Sequence, residues 1–174
     1  MTEPGINLLG TAVGHMFEVA GKWWTLSPIG PLMRARFAAW CQAIARQAII
    51  SQRSVVGTDG YGDAHNALTD AIASGAYSWR SPDPRRMGRS VKTIMTSEDG
   101  QVRLMQLLLE AHHKDVTEEQ IRELFDSNDE GMLYAVAGAM GTLDPNVEMP
   151  PSVKRTGAEE SQSKGNKNPT TTTT

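Results

Sequence analysis

The 174 residues contain one cysteine, Cys41, and that scarcity removes two kinds of architecture at once. No intrachain disulfide can form, and no site built from several thiolates around a metal is available. Aromatic residues are few, at 6%. No apolar run approaches the roughly 18–20 residues that a membrane-spanning helix needs. The opening segment "MTEPGINLLG" carries Glu3 where a signal peptide would carry positive charge. A cytoplasmic protein with no membrane partner is the expectation. The net charge of −3 supplies no whole-protein attraction to nucleic acid. Residues 150–174 carry a net +2, which leaves −5 on the remainder.

Catalytic signatures are missing too. There is no G-x-S-x-G elbow, no G-x-x-x-x-G-K phosphate cradle and no cysteine–histidine arrangement. The carboxylates gather at helix starts, where interaction with backbone N–H groups explains them without chemistry. The nearest metal lookalike is His112-His113 beside Glu110 and Asp115. Adjacent helical residues point about 100° apart, so a solvated helix end is the expected setting. His15 and His65 have no partner in sequence. We therefore assign no catalytic residue, no cofactor and no metal ligand, and Cys41 reads as a buried small apolar residue.

What is present is a succession of short, well-punctuated elements. "HMFEVAGKWWTL" (15–26) reads as a β-hairpin turning at Ala20-Gly21. A lone hairpin is marginal in water, so it has to pack on something or join a larger sheet. Pro28 and Pro31 end the second strand, and Pro31 suits the first turn of a helix. From Leu32 to about Gln52, the residues Met33, Phe37, Trp40, Cys41, Ile44 and Ala48 share one helical face. "GTDGYG" (57–62) reads as a loop. A second helix spans 63–74, with Gly75 as its stop. An irregular link covers 76–90, and Thr96 or Ser97 caps a third helix with Val102, Leu104, Met105, Leu108 and Leu109 inside. Thr117 and Gln120 form a capping box flanked by the apolar pair Val116 and Ile121. "SNDE" caps a fifth helix that Gly141 closes. The fold class is thus α+β and mainly α: a hairpin, about five helices, and a polar tail. Boundaries fall at 1–14 for an N-terminal segment, 15–149 for the domain and 150–174 for a tail expected to be disordered.

Two groups of side chains suggest contact with another molecule. Alternation along a strand puts Trp23 and Trp24 on opposite faces, so one core cannot hold both. Trp23, Trp24, Tyr77, Trp79, Leu133 and Tyr134 are the candidate partner-binding residues. Arg80, Arg85, Arg86, Arg89 and Lys92 form the one basic run, with Tyr77 and Trp79 beside it. Interleaved cations and aromatics suit single-stranded nucleic acid, but they equally suit a solvated loop with its rings tucked inward. The last two helices imitate a helix-turn-helix in spacing. That imitation fails on charge, because no lysine or arginine occurs between Glu123 and Val153 while six carboxylates do.

Taken in order, these segments resemble the tail assembly chaperones of long-tailed bacteriophages. The resemblance is carried by "WTLSPIGPLMRARFAAWCQAIA", similar to that family's strand, L-x-P-L opening and amphipathic helix. It continues in "ALTDAIASGAYSW" and in "TSEDGQVRLMQLLLEAHHKDVTEEQIRELFDSNDEGMLYAV", and covers residues 15–142. The tail at 150–174 and the Pro-Arg-rich insert at 82–89 depart from the pattern. The resemblance implies a non-catalytic factor of the host bacterial cytoplasm that binds the long helical tape-measure protein, or another tail protein, during assembly. Nine methionines suit an adaptable binding surface. Self-association stays open. Alternatives are a structural tail or connector component, and a nucleic-acid-associated factor using Arg80 to Lys92.

Overall fold

A computed structural model describes residues 14–81, 83–142 and 153–155. It is a mainly helical α+β fold in which an N-terminal antiparallel hairpin is followed by six helices. Strands β1 (His15–Val19) and β2 (Lys22–Leu26) pair in antiparallel register, Phe17 opposite Trp24. Ala20 and Gly21 both have positive φ, 51° and 76°, as a tight two-residue hairpin turn demands. A third strand, β3 (Val153–Arg155), pairs with the free edge of β1, giving the order β2-β1-β3. Trp24, Phe17 and Val153 therefore stand in one row across the sheet, and all three are buried. This corrects the expected disorder at residues 153–155: Val153 has a core position to fill and β1 an edge to satisfy. The rest of the tail, and residues 1–13, lie outside the described residues.

The link after β2 is where the fold is stitched together. The Ser27 N–H donates to the Leu108 carbonyl, and the Ile29 N–H donates to the Ala139 carbonyl, each at 2.9 Å. Both acceptors lie in the last turns of helices α3 (Glu98–Leu109) and α5 (Glu130–Ala139), where carbonyls lack intrahelical donors. Pro31 then opens α1 (Pro31–Ala73). Phe37 and Cys41 are fully buried on its inner face, whereas Trp40 is only partly covered and packs on Phe37 at 5.5 Å.

Helix α1 is two limbs. Only Gly57 (φ 70°, ψ −177°) leaves helical dihedrals, so the loop expected at 57–62 is a single-residue bend. Glycine reaches that φ without a Cβ clash, and one such residue suffices to reverse the chain. The limbs fold back on each other: the Arg53 guanidinium lies 5.0 Å from the Tyr61 ring across the bend, and Ala38 and Gln42 share a cavity wall with Ile72. The second limb ends as expected, with Gly75 N–H on the Ile72 carbonyl and Ala76 N–H on the Ala71 carbonyl. Ile44 and Ala48 depart from expectation. They continue the stripe of Phe37 and Cys41, yet Ile44 is 39% exposed and Ala48 is exposed, because the body stops short of them.

The 76–90 link is more ordered than its composition suggests, with a 3-10 turn at Pro84–Arg86 and then helix α2 (Arg89–Met95). No side chain caps α2. The Ala76 carbonyl accepts from Ser90 and Val91 N–H instead, so the start of this helix carries no sequence signature. Ser97 caps α3, the Thr117–Gln120 capping box opens α4 (Glu118–Asp126), and Asp129 caps α5.

Candidate functional site

Two regions among the described residues present chemistry to solvent in a concentrated form: an apolar groove across α3, α4 and α5, and the basic run. The groove has a volume of about 220 Å³. Leu104, Met105 and Leu108 of α3 form its floor, Phe125 of α4 one wall, and Leu133 and Val136 of α5 the other. The floor exists because α3 carries more apolar residues than one face needs. Val102, Leu107 and Leu109 are buried as well. On α5, Met132, Ala135 and Ala139 turn inward, and the i, i+3 pair Leu133 and Val136 is left facing the groove. Leu133 is 53% exposed, one of the few large apolar side chains so placed.

The exposed charges of α4 and α5 are mostly negative. Glu118, Glu119, Glu123, Asp126 and Glu130 are exposed, and Arg122, the sole cation of α4 and α5, is engaged with Glu98 and Asp99. Low-charge walls and negative flanks suit an apolar helix face bordered by lysine or arginine.

Of the partner-binding residues expected from sequence, only Leu133 lines this groove. Tyr134 is its part-buried neighbour outside the lining. Trp24 and Trp79 are corrected to core residues, 5% and 4% exposed. Trp79 meets Phe37 edge-on at 5.6 Å, and Tyr77 packs partly buried against the same cluster. Trp23 takes the outer face of the sheet, part-buried, opposite Glu18. The groove residues Leu104, Met105, Leu108, Phe125 and Val136 were read from sequence as interior or left unassigned. Leu104, Met105 and Leu108 are buried as expected, 7%, 1% and 0% exposed, and underlie the groove, while Phe125 and Val136 are part-buried. That they meet in one groove depends on how three helices splay, which periodicity does not encode.

Arg80, Arg85, Arg86, Arg89 and Lys92 are all exposed. Of the neighbouring rings Trp79 is taken into the core and Tyr77 is half-buried beside Arg80, so the patch has five cations and at most one partly open ring. At the foot of α1, Arg80 borders an open cavity of about 770 Å³, walled also by Pro31, Ala38, Gln42, Ile72 and Tyr77.

His113 is the functional-looking residue whose role proves structural. Helix α3 ends at Leu109, earlier than expected, and the chain then turns. His113 Nε2 accepts from the Thr25 N–H at 2.9 Å, and its ring sits 5.1 Å from Trp24. Lys22 covers the same Trp24 ring at 3.8 Å. Burial, then Lys22 and His112, hold the His113 imidazole below its ordinary pKa, consistent with an acceptor nitrogen. Burial pushes the Cys41 thiol up to about 12, which leaves it protonated and unreactive. Exposed Arg36 and Glu110 form a two-bond pair at 2.6 and 3.1 Å, and that guanidinium draws the Glu110 carboxyl below its usual range. Among the described residues no cluster of three or more histidines, cysteines or carboxylates is placed to hold a metal, and no helix is long and apolar enough to cross a membrane.

No protein-family model, no curated protein and no solved structure matches the chain.

Proposed function

We propose that this protein is a non-catalytic binding factor of the tail-assembly-chaperone kind, acting in the bacterial host cytoplasm on an amphipathic helix of the tape-measure type. The observation that carries the reading is the α3–α5 groove, walled by apolar side chains and formed partly by two helices whose exposed charges are mostly carboxylates. A helix laid in it would bury its apolar face against Met105, Phe125, Leu133 and Val136, and set basic flanks toward Glu123, Asp126 and Glu130. The ordered resemblance over residues 15–142 supports the same class of partner.

The test is a binding measurement against long helical tail-protein fragments. Leu133→Asp, at an exposed position, leaves the fold intact and weakens binding by on the order of tenfold or more. Unchanged affinity would remove the groove from the proposal. Two other readings separate cheaply. A structural tail or connector component is present in purified virions by mass spectrometry, whereas a chaperone is absent from them. A nucleic-acid role through the exposed cations appears as steeply salt-dependent binding to single-stranded DNA, lost in an Arg85→Ala, Arg86→Ala variant.

A further inference from the structure

The two limbs of α1 extend beyond the body as a helical arm: between Cys41 and Leu68 no described side chain is buried. Their charges are segregated. From residue 31 to 57 the chain has four arginines and no carboxylate, and from 58 to 73 it has three aspartates and no lysine or arginine. Each limb also carries an exposed stripe at coiled-coil spacing. On the first, Ala43, Arg46, Ile50 and Arg53 recur at i, i+3, i+7 and i+10, all exposed, with Ile50 at 53%. On the second, Asp59, Asp63, Asn66, Asp70 and Ala73 recur at i, i+4, i+7, i+11 and i+14, again all exposed. Among the described residues, Arg46, Arg53 and the three aspartates form no ion pair. Arg53 reaches across the bend to the Tyr61 ring, but the opposite charges of the two stripes do not pair with each other within one arm.

We infer that the arm pairs with the arm of a second copy of this chain. A two-fold axis lays the basic stripe of one copy against the acidic stripe of the other and repeats the contact in reverse. Such self-complementarity is what an isologous contact requires, and it is independent of the groove and of the function proposed above. Opposite charge at matched heptad-like spacing sets register, as at the flanking positions of coiled coils. The apolar contribution comes from Ile50 and Ala43, with Ile44 and Ala48 on the adjoining exposed face. The first limb beyond Cys41 is only about 22 Å long by helix rise, so the contact lies at the small end of specific interfaces. Weak, reversible association follows.

Sedimentation velocity on the full chain tests this. Wild type is expected to approach twice 18.9 kDa as concentration rises, and the dimer fraction is expected to fall as salt increases. Two arm variants probe charge, one all acidic (Arg46→Glu, Arg53→Glu) and one all basic (Asp59→Lys, Asp63→Lys, Asp70→Lys). Each alone should associate more weakly by about tenfold or more, and an equimolar mixture should recover the dimer as a heterodimer. A wild-type chain that stays monomeric at every concentration overturns the pairing and assigns the stripes to another partner. Dimers that persist in both variants, or fail to recover on mixing, overturn it as well. Since Leu133→Asp touches only the groove, it leaves self-association unchanged, and the arm variants leave groove binding unchanged.

Discussion

The body and the arm are both built from helices but are held by different things. In the body, α3, α4 and α5 each start on a side-chain cap and place several residues in one shared core. In the arm, the turns of α1 between Cys41 and Leu68 place no described side chain in that core. Helices of this length owe most of their stability to packing rather than propensity. The difference teaches where the molecule is rigid by construction and where its surface is left for something else to cover.

Four substitutions and conditions sharpen that contrast. The largest effect belongs to Phe37, where α1 leaves the body and where Trp40 and Trp79 both lean on one ring. Phe37→Ala should cost about 3–5 kcal/mol in urea unfolding. A loss near that for an exposed site would mean the arm and body are not anchored there. Next is Gly100, at the start of α3. A Cβ there would collide with the Ile94 carbonyl, backbone that cannot swing away. Gly100→Ala should therefore destabilise by ~1–3 kcal/mol despite the better helix propensity of alanine. A stabilised variant would show that α2 and α3 do not approach so closely.

The third probe is pH. His113 has a folded-state pKa below its ordinary value of 6.5, so the unfolded chain takes up the proton first. Its contribution is complete above about pH 6.5 and declines as pH falls from there through the lowered folded value. Stability against urea should drop on acidification across that window. His113→Gln, which keeps an acceptor for the Thr25 N–H without titrating, should flatten the slope; equal slopes in both proteins would place the acid sensitivity elsewhere. The smallest effect is expected in the arm. Ile50→Ala in the isolated monomer should change stability by no more than about 0.5 kcal/mol, and any larger cost would reveal cover that the exposed position lacks.

Residues 97–141 were legible almost cap by cap. Ser97, Thr117 with Gln120, Asp129 and Gly141 act on backbone groups three to five residues away, so their meaning is local. The hairpin turn and the stop at Gly75 were legible for the same reason. Helix α2 was not, since its first N–H groups are satisfied by the Ala76 carbonyl, a main-chain atom that any residue could supply. The bend confined to Gly57 was hidden among several loop-forming residues. Of the candidate site, Leu133 could be named because its helix has more apolar residues than one buried face uses.

Local hydrogen-bond chemistry and periodicity, then, dictated which segments are helix, which are strand and where most of them stop. Long-range packing settled which apolar side chains are covered. The Phe37–Ala48 stripe is continuous in sequence, but α3 and the sheet reach only as far as Cys41. Trp79 is swallowed by the core, and Val153 is recruited to a strand edge more than 130 residues upstream. Burial is a property of neighbours brought from far along the chain, and no stretch of residues specifies its own neighbours.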